Sequence, residues 1–283
     1  MLKVFGFVRR NANLTHDEYR AAHVGYHNSY GRRLNNIRGY LLNVRANRDL
    51  GETIGAPLLQ QISWGEPAQF DAEWDGWGQL LFDSLEDYLA ARSPAIDRAG
   101  PDGLELDPMV AKVGDDFDYL YAGSPFQFHV DEHVAQAVIR PERKLFKLVQ
   151  FAKCPTGMAP ELFRAMWTGR YASHLTTMPG LRGLIMNLRT PLDVMTGFFA
   201  PDAEGFTAAG TQIRETFYSH WDAMAEFWID RPEDFAAGRT LLGSYADFAQ
   251  LERELLASCF YREVDETVAV LPNRRPRPDF YFR

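Results

Sequence analysis

The chain has 283 residues, of which 46% are hydrophobic and 13% aromatic, a composition typical of a globular protein with a sizeable core. Its 30 Lys and Arg and 38 Asp and Glu give a formal net charge of −8, which disfavours nucleic acid and anionic membranes as partners. Two cysteines, Cys154 and Cys259, are too few for a disulfide framework and fit a reducing compartment. With no signal-peptide core and no apolar run of about 18 residues, we expect a cytoplasmic protein that does not enter the membrane.

The sequence contains an internal repeat. With an offset of 144, residues 3–45 align without a gap to residues 147–189, and ten aligned positions are identical. Two later motifs recur in the same order with offsets of 147 and 134. They are Trp74-Asp75, repeated as Trp221-Asp222, and Val130-Asp131-Glu132, repeated as Val264-Asp265-Glu266. This order indicates a tandem duplication, because repeats at a fixed period mark repeated structural units.

Both copies predict the same order of elements. Apolar residues alternate in the strand segments, and a capping box of Thr15 and Glu18 begins the first helix. In the first copy the elements are a strand over 2–9, a helix over 15–36, strands over 39–45 and 77–82, a helix over 85–91 and a strand over 126–134. This order, β-α-β-β-α-β, is that of the ferredoxin-like unit. A second sheet must cover its bare face, so we expect an α+β fold in which two repeats pack sheet to sheet as a pseudo-symmetric barrel.

The repeat also predicts the domain boundaries. We expect the first repeat over 1–139, the second over 144–270 and an extended C-terminal tail over 271–283, which lies on another surface or subunit or is simply a loose end. Three insertions rich in Gly, Pro, Asp and Ala are predicted to form loops over a pocket or at an oligomer contact. They cover residues 46–73, 96–123 and 190–219.

The first helix of each copy carries polar aromatic residues on its apolar face. At 100° per residue, His23 lies within the stripe that contains Tyr19, Tyr26 and Tyr30, with His27 at its edge. In the second copy Trp167 and His174 lie within the stripe and Tyr171 at its edge. Imidazole and phenol groups between a helix and a sheet can transfer protons near neutral pH, although packed aromatic residues with satisfied hydrogen bonds would give the same pattern.

Other polar residues leave more than one interpretation open. Asn43 and Arg45, with their repeat partners Asn187 and Arg189, can either reach a ligand or bridge the two sheets. His23 and His27 have the i, i+4 spacing of a metal-chelating pair, but no third ligand accompanies them, so we expect no metal site. Nucleotide-binding, P-loop and nucleophile-elbow motifs are absent from the sequence.

Residues 15–28 and the later segment Trp74-Asp75-Gly76-Trp77 resemble the EthD family of the dimeric α/β-barrel superfamily. The family pattern has a Trp-x-x-x-His pair on the first helix. Here His23 stands at the Trp position and His27 keeps the His, while the second copy keeps Trp167 and has Tyr171 in place of the His. The resemblance implies a barrel of two ferredoxin-like units within one chain, and it leaves open whether two chains form a homodimer. It also implies cofactor-independent chemistry on small hydrophobic or aromatic molecules.

We therefore expect a cofactor-independent lyase or isomerase, of the decarboxylase, dehydratase or cyclase type, acting on a small aromatic or polyketide-like substrate. His27 and His174 are the expected general acid and base, assisted by His23 and Tyr171. The expected substrate-binding residues are Tyr30, Trp77, Trp167, Trp221, Asn43, Asn187, Arg45 and Arg189. The alternatives are a haem enzyme with His23 or His174 as axial ligand, a cofactor-free oxygenase and a non-catalytic small-molecule binder.

Overall fold

The computed structural model describes residues 1–32, 34–91, 120–123 and 125–272, apart from the side chain of Tyr30. Its eight strands form one closed barrel, in which every neighbouring pair is antiparallel. The strands are β1 (Leu2–Val8), β2 (Gly39–Arg45), β3 (Gly76–Phe82), β4 (Phe126–Gln136), β5 (Phe146–Lys153), β6 (Leu181–Arg189), β7 (Ala223–Ile229) and β8 (Ser258–Val270). Within the described residues, none of the helices has the length and apolar character that a membrane-spanning helix needs.

Each half of the barrel has the ferredoxin-like strand order. Around the barrel the first half runs β4-β1-β3-β2 and the second β8-β5-β7-β6. Pairing of β2 with β8 and of β4 with β6 joins the halves into a closed sheet. The predicted α+β fold of two repeats is confirmed. Strands β1–β4 and β5–β8 lie within the predicted domains 1–139 and 144–270, whose boundaries remain predictions.

The helix that leads each half, which we call the leading helix, contains a π-helical turn. The first consists of α-helix His16–Ala21, π-helix Ala22–His27 and α-helix Asn28–Gly31, and the second of Pro160–Met166, π-helix Trp167–Tyr171 and Ala172–Leu175. A π-helical turn holds one residue more than an α-helical turn, so it shifts the inward face by one residue. The inward residues are therefore spaced by four, at Tyr19, His23, His27 and Gly31 in the first half and at Phe163, Trp167, Tyr171 and Leu175 in the second.

The other helices lie outside the barrel. Two of the insertions predicted as loops contain helices, and the helix Ala246–Leu255 has no counterpart among the predicted elements. The remaining α-helices are Leu50–Ile54, Ala56–Ile62, Leu85–Ala90, Ala208–Ser219, Pro232–Ser244 and Ala246–Leu255, and the 3₁₀ turns are Phe70–Ala72 and Glu204–Phe206. Most of the insertion over 96–123, and the tail from residue 273, lie outside the described residues.

The two insertions each cover the opposite half. Leu50 and Ile62, from the insertion over 46–73, pack in the hydrophobic cluster of the second half. In return Phe198, from the insertion over 190–219, stacks on Tyr88 of the first half with ring centroids 4.3 Å apart. Buried apolar surface therefore links the halves outside the barrel as well as through the sheet.

The barrel interior is filled by aromatic side chains beside a layer of charged and amide side chains, which are buried except for the partly exposed Glu132 and Glu266. The aromatic cluster includes Phe7, Trp77, Phe151, Trp221 and Phe260. The charged layer consists of repeat-related residues. It contains Lys3 and Lys147, Asn43 and Asn187, Glu132 and Glu266, and finally Gln79 and Glu226. Only the last pair differs in charge between the two halves.

Glu226 is the shared partner of both lysines. Its carboxylate lies 3.1 Å from Lys3 Nζ and 2.8 Å from Lys147 Nζ, and it accepts a hydrogen bond from Gln79 Nε2. Burial acts to raise the pKa of Glu226, but the two lysines and these hydrogen bonds outweigh it and hold the pKa at about 2. One carboxylate thus links the first strand of each half.

We predict that Glu226→Gln destabilises the protein by roughly 3 kcal/mol or more at pH 7, because it leaves Lys3 and Lys147 partly uncompensated in the core. The pKa of Glu226 is lower in the folded chain than its ordinary value of 4.5, so its contribution is complete above that value and is lost as the pH falls towards about 2. Urea unfolding should show that the difference in unfolding free energy between the wild type and Glu226→Gln shrinks as the pH falls from about 4.5 towards about 2. Asp131→Asn, at a more exposed carboxylate on β4, is the control. A difference that is constant with pH would contradict the assignment.

Candidate functional site

Three aromatic rings form a stack on the inner face of the first leading helix. The centroids of Tyr19 and His23 are 5.2 Å apart with 19° between the ring planes, and those of His23 and His27 are 5.4 Å apart with 6°. In a regular α-helix a step of four residues turns the side chain by about 40°. The π-helical turn cancels much of this drift and brings both histidines into line with Tyr19. His27 therefore belongs to the stack, although the regular-helix calculation places it at the edge of the stripe.

His23 is buried and has one unused ring nitrogen. The side chain is 2% exposed, and Nδ1 is hydrogen-bonded to the hydroxyl of Tyr121 at 2.7 Å. Its Nε2 is buried without a hydrogen-bond partner among the described residues. Burial, and then the neighbouring His27, lower the pKa of His23 well below 6.5, so the imidazole is neutral at pH 7.

Tyr19 presents a second unused polar atom close to His23. Its hydroxyl is fully buried and finds no hydrogen-bond partner within the described part of the chain. It lies over Gly76 of β3, where an added Cβ would be 2.7 Å from the hydroxyl oxygen. Burial, followed by the Asp75 carboxylate and Tyr40, raises the pKa of Tyr19 well above 10, so the phenol keeps its proton.

Glycines make room for these rings between the helix and the sheet. The ring of Tyr40 on β2 lies against Gly31 of the helix and Gly78 of β3, and a Cβ at Gly31 would overlap it. The corresponding sheet positions differ in the second half. Gly6, Gly76 and Gly78 correspond to Gln150, Ala223 and Ala225. The first half therefore keeps less side-chain volume under its leading helix.

In the second half the equivalent region is filled. Phe163, Trp167, Tyr171 and Phe248 form one continuous stack, with centroid separations of 5.9, 5.2 and 5.7 Å. Phe248 belongs to the helix Ala246–Leu255, which we call the covering helix. Its ring occupies the end of the stack beside Tyr171, while Trp167, predicted to bind substrate, packs between Phe163 and Tyr171.

Polar residues of the second half are bound to one another. The Tyr171 hydroxyl donates to Glu252 Oε1 at 2.7 Å and accepts from Gln150 Nε2 at 2.6 Å. Arg239, 2% exposed, donates to both oxygens of Glu252 at 2.9 Å. Tyr171 is thus engaged on both sides by neighbouring side chains.

The structure does not bring His174 and His27 together. His174 lies on the second leading helix, half-buried, with its ring 5.3 Å from that of Phe248 and Nε2 4.0 Å from Asp247 Oδ2. The inward position that the regular-helix calculation assigns to His174 is taken by Leu175, which is fully buried. The one-residue shift of the π turn explains the difference, and it also explains why Tyr26 is 46% exposed.

The predicted binding residues on the strands lie elsewhere. Trp77 and Trp221 pack in the aromatic interior of the barrel, and Asn43 and Asn187 accept hydrogen bonds from the lysines of the charged layer. Arg45 and Arg189 bind the repeated Asp75 and Asp222 and nearby backbone carbonyls. The two asparagines thus connect the halves, whereas the two arginines bind within their own half. The side chain of Tyr30 lies outside the described part.

Some site residues were not predicted from the sequence. Tyr121 lies near the end of the insertion over 96–123, which has no repeat partner, and Tyr40 of β2 is absent from the predicted site residues. The apolar spacing of Phe248, Leu251 and Leu255 is a signal that could have identified the covering helix. Among the described residues no group of three or more His, Cys, Asp or Glu side chains is arranged to hold a metal ion.

Comparison with known proteins supports the fold. No family model and no curated protein matches the sequence. Among solved structures, a protein from Fusobacterium nucleatum described provisionally as a monooxygenase is 7% identical with a TM-score of 0.53, over 96% of this chain and 95% of that one. An anthrone oxidase-like protein is 11% identical over 97% and 96%, with a TM-score of 0.49. A Lactobacillus acidophilus protein, also described provisionally as a monooxygenase, is 9% identical over 96% of each chain, with a TM-score of 0.47.

The first of these likenesses extends over almost the whole of both chains. The chain has the dimeric α/β-barrel fold, built here from two halves of a single polypeptide. At this level of identity the likeness establishes the fold alone, because one fold supports many functions.

We predict that Gly76→Ala destabilises the protein by about 1–3 kcal/mol, because the new Cβ meets backbone and side-chain atoms that cannot both withdraw. It would lie 2.6 Å from the Asn43 carbonyl oxygen and 2.7 Å from the Tyr19 hydroxyl. Thermal and urea unfolding measure the effect. Gly25→Ala is the matched control, since a Cβ there meets nothing within 4 Å, and we expect it to be neutral or stabilising by up to about 1 kcal/mol. Equal stability of the two variants would show that the helix does not lie this close to β3.

Proposed function

We propose that this chain is a cofactor-independent enzyme that performs acid–base chemistry on a small aromatic or polyketide-like molecule in the first half of the barrel. The observation that carries the proposal is the contrast between the two halves. The first leading helix carries two stacked imidazoles, His23 and His27, whereas the second carries Trp167 and Tyr171 at these positions. The Tyr171 hydroxyl is bound by Gln150 and Glu252. An imidazole can take up and return a proton near neutral pH, which an indole cannot. Membership of the EthD family is part of the proposal, supported by the helix motif and the fold.

The residues of the first half have distinct roles in this proposal. His27, half-buried beside His23, is the general base that takes a proton from the substrate. The electron pair moves to an oxygen on the substrate ring, and protonated His27 returns the proton to another carbon or to the leaving group. The first outcome is an isomerisation and the second an elimination, the lyase reaction. Aromatic walls suit a flat substrate because they supply contact area at little entropic cost.

The second half has a supporting role in the proposal. Tyr171 is held by Gln150 and Glu252, and the covering helix closes the region around it. The acid–base pair expected from the sequence, His27 with His174, is therefore replaced by a site within one half. A fused chain can lose one of two equivalent sites without losing its activity.

A cofactor-free oxygenase is the second candidate. It is favoured by the fold likeness to the Fusobacterium nucleatum protein described provisionally as a monooxygenase. The same base would remove a proton from a ring methylene group, and O₂ would then oxidise the carbanion. In balance, the methylene becomes a carbonyl group, one oxygen atom enters the product and the other leaves as water. Conversion that requires air would support this candidate over the lyase or isomerase.

A haem group fits the first half poorly. Tyr19 already reaches from the helix to the backbone of β3 at Gly76, immediately beside His23. The Tyr19 side chain thus occupies space beside His23 that a porphyrin bound through Nε2 would need. At His174, Nε2 lies 4.0 Å from Asp247 Oδ2 and the ring contacts Phe248, so an aromatic side chain and a carboxylate flank the imidazole. We therefore do not include haem in the proposal.

The experiment is conversion of a panel of phenolic and polyketide-like aromatic compounds by the full chain, without added cofactor, under air and under argon. For a compound that is converted, we expect His27→Ala to lower kcat/KM by at least about 100-fold, since a positioned acid or base contributes about that much or more. His133→Ala, at an exposed histidine of β4, is the control and should leave kcat/KM unchanged. Mass spectrometry identifies the product.

Two results would contradict the proposal. One is a compound converted equally well by the wild type and by His27→Ala. The other is activity that depends on His174 and not on His27, which would place the reaction in the second half. Binding of panel compounds with no conversion of any would favour the non-catalytic binder.

A further inference from the structure

Two neutral groups of the first half are placed to donate hydrogen bonds and have no acceptor. The Tyr19 hydroxyl and His23 Nε2 are both buried, and neither has a partner among the described residues. They belong to stacked rings one helical turn apart, on the face that the leading helix turns towards β3. Leaving a buried donor unpaired costs about 1–3 kcal/mol, so two adjacent ones call for a common explanation.

The contact with Tyr121 determines what His23 offers at Nε2. A neutral imidazole carries its proton on one nitrogen only, and the other nitrogen accepts. Nδ1 of His23 is 2.7 Å from the Tyr121 hydroxyl. A phenol is a stronger acid than a neutral imidazole, so the favoured arrangement has the Tyr121 hydroxyl donating to Nδ1. The proton of the ring is then on Nε2, the nitrogen that has no partner.

We propose that Tyr19 Oη and His23 Nε2 are paired hydrogen-bond donors for an oxygen of the ligand, and that the site is therefore selective for aromatic molecules carrying a carbonyl or phenolate oxygen. This inference rests on the proposed function and names the substrate class and two binding groups of the same site. Tyr121 is a positioning residue, which acts through the tautomer of His23. Donors aimed at an oxygen on which negative charge develops stabilise the transition state more than the ground state.

The charge states of both groups agree with this role. Burial keeps Tyr19 protonated and His23 neutral at pH 7. The groups that act electrostatically on the pair are Asp75, Tyr40, Arg10 and Arg45 at Tyr19, and His27 at His23. Because neither donor carries a charge, the pair can bind a neutral carbonyl group and also the oxyanion that forms when the base removes a proton.

The second half offers a natural comparison. In the second half Phe163 and Trp167 occupy the positions of Tyr19 and His23, so the Tyr19 hydroxyl has no counterpart there. The substitution Tyr19→Phe therefore introduces a residue that the same fold already holds at the equivalent position. Tyr261 provides the control, because its hydroxyl is also buried but lies in the second half, beside Cys259.

The test is binding of 1-tetralone, an aromatic ketone, and of tetralin, which has the same ring skeleton without the oxygen, to the full chain. We expect the wild type to bind 1-tetralone more tightly than tetralin. Tyr19→Phe should weaken the binding of 1-tetralone about tenfold and leave the affinity for tetralin unchanged. It should also shift the carbonyl stretching band of bound 1-tetralone to higher wavenumber. Tyr261→Phe should change neither affinity. Equal affinity of the wild type for both probes, no binding of 1-tetralone up to its solubility limit, or an equal effect of both variants would overturn the inference.

A second measurement tests the donor state of His23 without any ligand. In protein labelled with ¹⁵N-histidine, we expect the resonances of His23 to report a proton on Nε2, and Tyr121→Phe to populate the other tautomer. A proton on Nδ1 in the wild type would overturn the inference. Neither measurement needs turnover, so failure of this inference can be distinguished from failure of the proposed function. If both donors behave as expected but no compound is converted, only the proposed function is contradicted. If conversion depends on His27 but binding shows no preference for the oxygen, only this inference is contradicted.

Discussion

One carboxylate lies between two lysines at the centre of the barrel, and the arrangement of the whole chain depends on it. Glu226 contacts Lys3 and Lys147, the equivalent lysines of the two halves. Gln79, the repeat partner of Glu226, donates to the same carboxylate. Two buried carboxylates in this position would repel each other, whereas a carboxylate and an amide attract. A homodimer of identical halves would have to place the same residue at both positions. Fusion into one chain allows the two to differ.

The same freedom accounts for the difference between the two candidate sites. Both leading helices contain a π turn, and both present a stack of rings to the sheet. In the second half the covering helix adds Phe248 and Glu252 to that stack and pairs the Tyr171 hydroxyl. In the first half the rings are Tyr19, His23 and His27, with glycines beneath them. The backbone is thus shared, and the chemistry differs through a few side chains and one additional helix.

The sequence repeat predicted the strands and the barrel well because both depend on simple periodicities. Strand alternation has a period of two, and the repeat preserved the residues of the charged layer, such as Lys3 and Lys147. Alternation did not reveal which side of β2 or β3 faces the interior, because helices cover the outside and nearly every residue of these strands is buried. For that reason Asn43 and Trp77 were assigned to a ligand site although they lie inside the barrel.

The site was harder to predict than the fold. A regular helix was assumed over 15–36, and one extra residue in a π turn is enough to move His174 off the inward face and His27 onto it. Nothing in the spacing of apolar residues distinguishes such a turn. Tyr121 and the covering helix lie in segments without repeat partners, so the internal comparison that located the strands could not locate them.

The most direct test of this account moves the central carboxylate from one half to the other. The free energy of unfolding in urea would be measured at pH 7 for Gln79→Glu, for Glu226→Gln and for the double variant that exchanges the two residues. Each single change alters the charge of the layer, whereas the exchange restores one carboxylate and one amide between Lys3 and Lys147. The account predicts that the double variant regains most of the stability lost by the single variants. A double variant destabilised by the sum of the two single losses would contradict it.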